Sequence, residues 1–478
     1  MKNLKFLLLI SSLFLIPGLT GCATAPTDEE LKKIGDTVAV NMVDQYGEYK
    51  DAALENYVVG VGQKVEKATP LPGPLNFYIL DTELVNAFSV PGGHIFVTRG
   101  LLVRANSEAE LAMVLGHEMG HLAAKHQAQR ISQIRTSTFF SNLVYLVVGV
   151  WTKSETAASF AEAITDFSSV LVILNYGREA EFEADKLGIE FTEKSGYDPQ
   201  AGEKFLETLE SMEKDDRSFI EDLLATHPPS DERVSKAKVI SAKLKKPGES
   251  LYVGDNDFKL KIKGIIIGPS LERGFIKDKV YYNRNYMFTL KSYEDWYLGT
   301  SGKYKAGIVK PGNLFLVYPE KPMNKQPLSV WSKNFIKEAL GDEKINPILK
   351  ERTFKGIQAY YDRFDMGGKQ IRVLTFLKDD VYYALIYTYL PQVFANYDDI
   401  FEKLIDRFDF MSTEVAQGIT EDKLEIYRAV SGDTWEKLSQ GLFNDPKLAK
   451  KLKLFNGDVA IKENEVVKVP PLKYLKKI

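Results

Sequence analysis

Gly116-His117-Glu118-Met119-Gly120-His121 decides how the first half of this chain is read. Ser107 and Glu110 precede it at the S-x-x-E spacing of a capping box, and the apolar run Leu111, Met113, Val114, Leu115 leads into it, so the pattern predicts a helix through the motif. Residues four apart share a helix face, which sets His117 beside His121. Two imidazoles so placed can hold one Zn²⁺, with Glu118 next to the coordination position left open. The five histidines, His94, His117, His121, His126 and His227, all lie in the first half, a clustering that solvated surface histidines would not explain.

A third ligand is available in Gly177-Arg178-Glu179-Ala180-Glu181-Phe182-Glu183-Ala184-Asp185. Glu181 and Asp185 stand one turn apart on a second predicted helix. Glu181 would complete a His₂Glu set, the composition of a catalytic rather than a closed structural site. Asp185 would accept the second ring N–H of a ligand histidine and fix its tautomer. An exposed acidic face is the competing reading, because Glu179 and Glu183 flank Glu181. The histidine pair tips the balance toward a site that holds one zinc ion per chain, with Glu118 as general base for peptide hydrolysis.

These motifs together resemble the gluzincin metalloendopeptidase family of the CAAX prenyl proteases, HtpX, Oma1 and BepA. Asn86 to Leu101 is similar to the family's strand-turn-strand before the zinc helix, and Thr226-His227-Pro228-Pro229-Ser230-Asp231-Glu232-Arg233 to its later T-H-P element. Tyr46-Gly47 and Tyr57-Val58 resemble the N-terminal helices of the soluble, BepA-like branch. The resemblance covers about residues 28–245. It implies a mainly α zincin-type catalytic domain with a small β-sheet, and endopeptidase activity on proteins. On this reading the strand at Asn86, Ala87 and Phe88 pairs with extended substrate. His227, and behind it Arg233, would stabilise the oxyanion or close over the metal.

The N-terminus adds an address. Lys2 and Lys5 precede the apolar stretch Phe6 to Leu19, which is too short to span and reads as a signal peptide over 1–21. Leu19-Thr20-Gly21-Cys22 has the form of a lipoprotein cleavage site. Cys22 is the only cysteine, so disulfides and thiol chemistry are excluded and lipidation is expected. The expected location is the periplasmic side of a bacterial envelope, lipid-anchored at the outer membrane. With 62 basic against 65 acidic residues, nothing argues for nucleic acid as a partner.

The chain is long enough for several domains. The metallopeptidase domain is expected over 22–247, ending at the break Lys246-Pro247-Gly248. Within it, the apolar run Phe139 to Trp151 is too short to span and reads as a helical hairpin packed on the catalytic domain, with a lid over the cleft and a plain core helix as its alternatives. Residues 250–412 turn to β-branched and aromatic runs, among them Ile265 to Ile267, Leu314 to Tyr318, Ile371 to Phe376 and Val381 to Tyr389, then a short helix over Phe401 to Phe408. They read as an α+β domain with a faint resemblance to PsbP/Mog1-like folds. Residues 413–423 read as a polar linker.

Residues 424–472, with Gly432-Asp433-Thr434 opening a helix, resemble a βααβ LysM module, except that Glu463-Asn464 replaces a usual glycine. The resemblance implies contact with peptidoglycan. Two rival readings follow: a cell-wall hydrolase, and a chaperone-like binding protein with a latent zinc site.

Overall fold

The computed structural model describes residues 27–135, 176–215, 221–228, 230–245, 250–301, 304–310, 312–366, 369–389 and 397–477. The signal peptide, Cys22, the run 139–151 and the break at 246–248 lie outside the described residues.

The N-terminal part opens with α1 (Asp28–Tyr46), started by a capping box between Thr27 and Glu30, and α2 (Ala52–Glu66), whose first N–H groups bond the Asp51 carboxylate. Three short strands follow: β1 (Asn76–Leu80), β2 (Ala87–Val90) and β3 (His94–Thr98). Their order is β1-β3-β2, with β1 parallel and β2 antiparallel to β3, so β2 is an edge strand among the described residues. Next come α3 (Arg99–Arg104), α4 (Glu108–Ala123), α5 (His126–Arg135), α6 (Arg178–Lys194), α7 (Gln200–Asp215), α8 (Glu221–Thr226) and α9 (Asp231–Leu244).

Half of the expected capping box at α4 is present. The Ser107 hydroxyl accepts the Glu110 N–H at 3.1 Å, but Glu110 returns its carboxylate to Asn106 N–H at 2.9 Å, not to Ser107. Two residues, Ala105 and Asn106, separate the end of α3 from the cap; the Ala105 amide still bonds Leu101 O, and the amide left needing an acceptor is that of Asn106. Helices α4 and α6 cross at unusually close range because glycines face each other. A Cβ on Gly188 would lie 2.8 Å from the His117 nitrogen, and one on Gly116 would lie 3.1 Å from the Gly188 carbonyl. That approach sets His117 and His121 opposite Glu181.

Packing against the first core continues past residues 246–248. α10 (Asp255–Lys261) and β4 (Ile266–Ile267) belong to that core, burying Phe258, Ile262, Ile265 and Ile267 against residues of α2 and α4. A break in composition at 246–248 therefore does not end the packed unit.

The second domain contains β5 (Phe275–Lys277), β6 (Val280–Asn283), β7 (Phe288–Lys291), β8 (Tyr297–Ser301), β9 (Lys305–Lys310), β10 (Asn313–Glu320), α11 (Leu328–Leu340), β11 (Lys350–Phe354), β12 (Ile357–Met366), β13 (Lys369–Lys378), β14 (Val381–Tyr389), α12 (Tyr397–Ile405) and β15 (Phe408–Phe410). The main sheet runs β11-β12-β13-β14-β10-β9-β8, and a smaller one runs β15-β7-β6-β5. Every residue of β14 is buried, because α11 covers one face of the main sheet and the smaller sheet with α12 covers the other. The predicted helix over Phe401 to Phe408 ends earlier: Phe408 starts β15 and stacks on Phe288.

The stretch expected as linker is structured. α13 (Thr413–Gly418) is capped by Ser412, and β16 (Asp422–Lys423) pairs antiparallel with β4. The last unit is β17 (Glu425–Arg428), α14 (Trp435–Phe443), a 3₁₀ turn at Pro446–Leu448, α15 (Ala449–Phe455), β18 (Val466–Val469) and α16 (Leu472–Lys477). β17 and β18 pair antiparallel around the helices. Phe455 and Tyr474 enter the first core, and Lys468 Nζ donates to the carbonyls of Val103, Arg104 and Ala105 at 2.8, 3.2 and 2.8 Å, closing the end of α3.

Candidate metal centre

α4 carries His117 and His121 on its buried face, and α6 brings Glu181 against them. The two histidine Nε2 atoms lie 3.0 Å apart. Glu181 Oε1 is 3.3 Å from His121 Nε2, and Oε2 is 3.6 Å from His117 Nε2. His227, just after α8, points Nδ1 into the same space, 3.3 Å from His117 Nε2 and 3.1 Å from Glu181 Oε2. One donor atom from each of the four residues falls within 4.8 Å of every other, and all four side chains are buried.

The donor set fits zinc. Four donors each ~2.1 Å from one ion define tetrahedral edges of ~3.4 Å; five of the six residue pairs approach to 3.0–3.6 Å, Glu181 turning Oε1 to His121 and Oε2 to His117 and His227. His227 Nε2, beside these atoms, has no hydrogen-bond partner among the described residues.

Each ligand-type side chain is held from behind. His117 Nδ1 meets Asp185 Oδ1 at 3.0 Å. Arg233 grips Asp185 with two bonds of 2.7 Å and reaches Glu181 Oε2 at 3.0 Å, so it is tied into the cluster rather than free to face an oxyanion. His121 Nδ1 meets His126 Nδ1 at 2.9 Å, and His126 Nε2 lies 3.3 Å from Glu183. Tyr176 stacks on His121 with 4.2 Å between centroids. The competing Glu179 and Glu183 are exposed.

Glu118 sits beside the donors. The Ser89 hydroxyl donates to its carboxylate at 3.0 Å, Gln127 Nε2 donates to Ser89 Oγ at 2.9 Å, and His227 Nε2 lies 3.5 Å from Glu118 Oε1. Ala87, Leu206, Leu223, His117, Glu118 and His227 help to line a cavity of ≈ 30 Å³, room for about two waters. Asn86 is fully buried, with neither carboxamide atom partnered among the described residues, and Phe88 stacks on Phe96 in the core. Of the proposed substrate strand, Ala87 alone lines the cavity. Reading the sequence alone missed Ser89, His126, Gln127 and Tyr176. His126 carried a faint signal as the histidine five residues beyond the motif.

Charge in the cluster is divided unequally. Burial pushes the Glu118 carboxyl up, against the pull of His227, His117 and the Ser89 hydrogen bond. Burial opposes Glu181 as well, but facing His227, His121 and His117 hold it well below the usual carboxylate range. Asp185 is held down to about 2, burial being outweighed by Arg233. Burial drives His121 down to about 3, so it is a neutral, lone-pair-bearing imidazole at neutral pH. His227 rises: burial works against its proton, and Glu181 and Glu118 more than compensate.

Residues 52–241 match the family model described as peptidase family M48. The chain is 27% identical over 228 residues to the beta-barrel assembly-enhancing protease of Yersinia pestis, covering 46% of each protein. It is 25% identical over 220 residues to the protein of that name from Escherichia coli strain K12, covering 43% of this chain and 45% of the relative. It is 31% identical over 155 residues to the mitochondrial metalloendopeptidase OMA1 of Arabidopsis thaliana, covering 32% of this chain and 29% of the relative. The chain thus spans less than half the length of each of these curated relatives.

Proposed function

From the peptidase family M48 domain formed by residues 52–241, we propose that the chain is a zinc-dependent endopeptidase acting on proteins of the bacterial envelope. The observation that carries this is the four-donor cluster, with five of its six residue pairs at 3.0–3.6 Å, set beside a buried glutamate. His117, His121 and Glu181 would hold the ion. Bound zinc would supply Lewis-acid polarisation of the scissile carbonyl and make water a stronger acid. Glu118 takes the proton of the attacking water on its carboxylate and delivers it to the leaving amine. Its raised proton affinity, set by burial, suits a group that must hold that proton between the two steps. Asp185 keeps the His117 Nδ1 proton facing away from the donors. His227 packs Nδ1 among those donors, which favours closure over the metal above a separate oxyanion role.

The edge position of β2 among the described residues supports recognition of an extended substrate through its backbone, with little demand on sequence. No described helix is long and apolar enough to cross a membrane. Attachment is proposed through lipid at Cys22, and Cys22→Ser should move the protein to the soluble periplasmic fraction. The C-terminal βααβ unit is proposed to touch peptidoglycan, testable by co-sedimentation with purified sacculi.

The deciding experiment measures zinc content and casein hydrolysis for the wild type and Glu118→Gln. Glu118→Gln should retain zinc and lose ~10²–10⁴-fold in kcat. Residual turnover near the wild-type rate would sink the assignment. Release of soluble fragments from sacculi by the wild type, with casein left intact, would favour the cell-wall hydrolase reading.

A further inference from the structure

We propose that the first two residues of α5, His126 and Gln127, are positioning residues for the whole centre: His126 orients the ligand His121, and Gln127 orients Glu118 through Ser89. The inference rests on the metallopeptidase reading above. His121 turns Nε2 toward His117 and Glu181, at 3.0 and 3.3 Å, so its Nδ1 faces out of the cluster. A histidine that ligates through Nε2 keeps its proton on Nδ1, and here that proton has one acceptor, His126 Nδ1 at 2.9 Å. His126 must then carry its own proton on Nε2, which faces Glu183 at 3.3 Å. The chain of donation runs outward, His121 to His126 to Glu183, and fixes one tautomer for each ring. His117 has a carboxylate, Asp185, in the equivalent place.

Gln127 does the same for the base. Its Nε2 donates to Ser89 Oγ at 2.9 Å and occupies a lone pair of that hydroxyl. The single hydroxyl proton is left to point at Glu118, whose carboxylate Oε2 and backbone carbonyl lie 3.0 and 3.1 Å away. Ser89 belongs to β2, the edge strand, and Glu118 to α4, so the hydroxyl ties the substrate edge to the base. Both α5 side chains are buried, at 4% and 3% exposure. Lys125 makes the junction possible, since its φ of 56° turns the chain between α4 and α5 so that consecutive side chains reach the ligand and the base.

Two separate readouts distinguish positioning from packing. Zinc affinity, measured by competition with a chelating dye, should fall ~10–100-fold in His126→Ala. It should recover in part in His126→Gln, whose carboxamide oxygen can accept the His121 proton, and this variant carries the test if His126→Ala does not fold. Ser89→Ala and Gln127→Met should bind zinc as the wild type does while kcat on casein falls about tenfold at unchanged KM, and Ser89→Thr should restore it. The double variant should be no worse than Ser89→Ala, because the two act as one chain.

Wild-type zinc affinity in His126→Ala overturns the proposal whatever the activity, as does wild-type kcat in Ser89→Ala. A wild type that binds zinc but cleaves nothing removes the peptidase reading. The His126→Ala affinity then decides alone, and its loss still supports the positioning role.

Discussion

Helix α4 has buried charge at both ends, and the two ends are built on opposite plans. At its first turn Glu110 accepts the Asn106 amide, and nearby Lys468 spends its three donors on three carbonyls at the end of α3. The Glu110 carboxyl and the Lys468 amine each meet a partner there, while the Asn106 carboxamide is buried without a hydrogen bond among the described residues. At the far end His117, His121, Glu181 and His227 aim lone pairs at one another within 4.8 Å. Cavity size does not separate the two. The cleft near Glu110, lined also by Asn106, Lys259 and Phe455, measures ≈ 570 Å³, against ≈ 30 Å³ at the donors. What marks the candidate site is convergence: four metal-ligand-type side chains turn donor atoms toward one point, whereas Lys468 and Glu110 turn theirs toward separate backbone groups.

The contrast breaks most easily at Glu181. Glu181→Ala should lose more zinc affinity than the ~10–100-fold that an orienting partner is worth, whereas Glu179→Ala and Glu183→Ala should keep most of it. Metal analysis showing full zinc in the Glu181 variant would move the third ligand elsewhere. At the complementary end, Lys468→Met leaves the three α3 carbonyls without their donor and should cost about 2–4 kcal/mol of unfolding free energy in denaturant titration. Lys473→Met, which removes an exposed pair with Asp422, should change it by less than about 1 kcal/mol. Equal effects from the two lysines would remove the distinction.

The smallest effect is in the pH profile. Burial raises the Glu110 carboxyl to about 7 from its model-peptide value of 4.5, so the folded state holds a proton that the unfolded chain has released. Its contribution to stability is full below pH 4.5 and is lost as pH rises through about 7. Glu110→Gln, which cannot titrate, should show a flatter melting temperature across that window. An unchanged slope would assign the dependence to another group.

Much of this contrast is visible in the sequence only at one end. His117, His121, Glu181 and Asp185 lie at spacings of four within single helices, so local periodicity is enough to place them in pairs. The strands Leu314 to Tyr318 and Val381 to Tyr389 are legible for the same reason, as unbroken β-branched and aromatic runs. Ser89 from β2 and His126 and Gln127 from α5 converge on α4, and no spacing announces that. Phe258 and Ile265 reach back into the first core across the polar break near 247, a contact between distant segments that no local pattern announces. The supposed linker is polar because its short helix and strand are surface elements, not because they lack structure. Lys468 gave no signal, since its partners stand at the other end of the chain.

That separation has a consequence for how the molecule is made. Val103 and Lys468 are 365 residues apart. At about 5–20 residues per second of synthesis, roughly 20–70 s pass between the appearance of the carbonyl and that of the amine that meets it. The four candidate donors emerge first, and the strand that closes their neighbouring helix emerges well after them. Interrupted synthesis therefore yields a chain that holds every donor but lacks the piece that seals the domain around them.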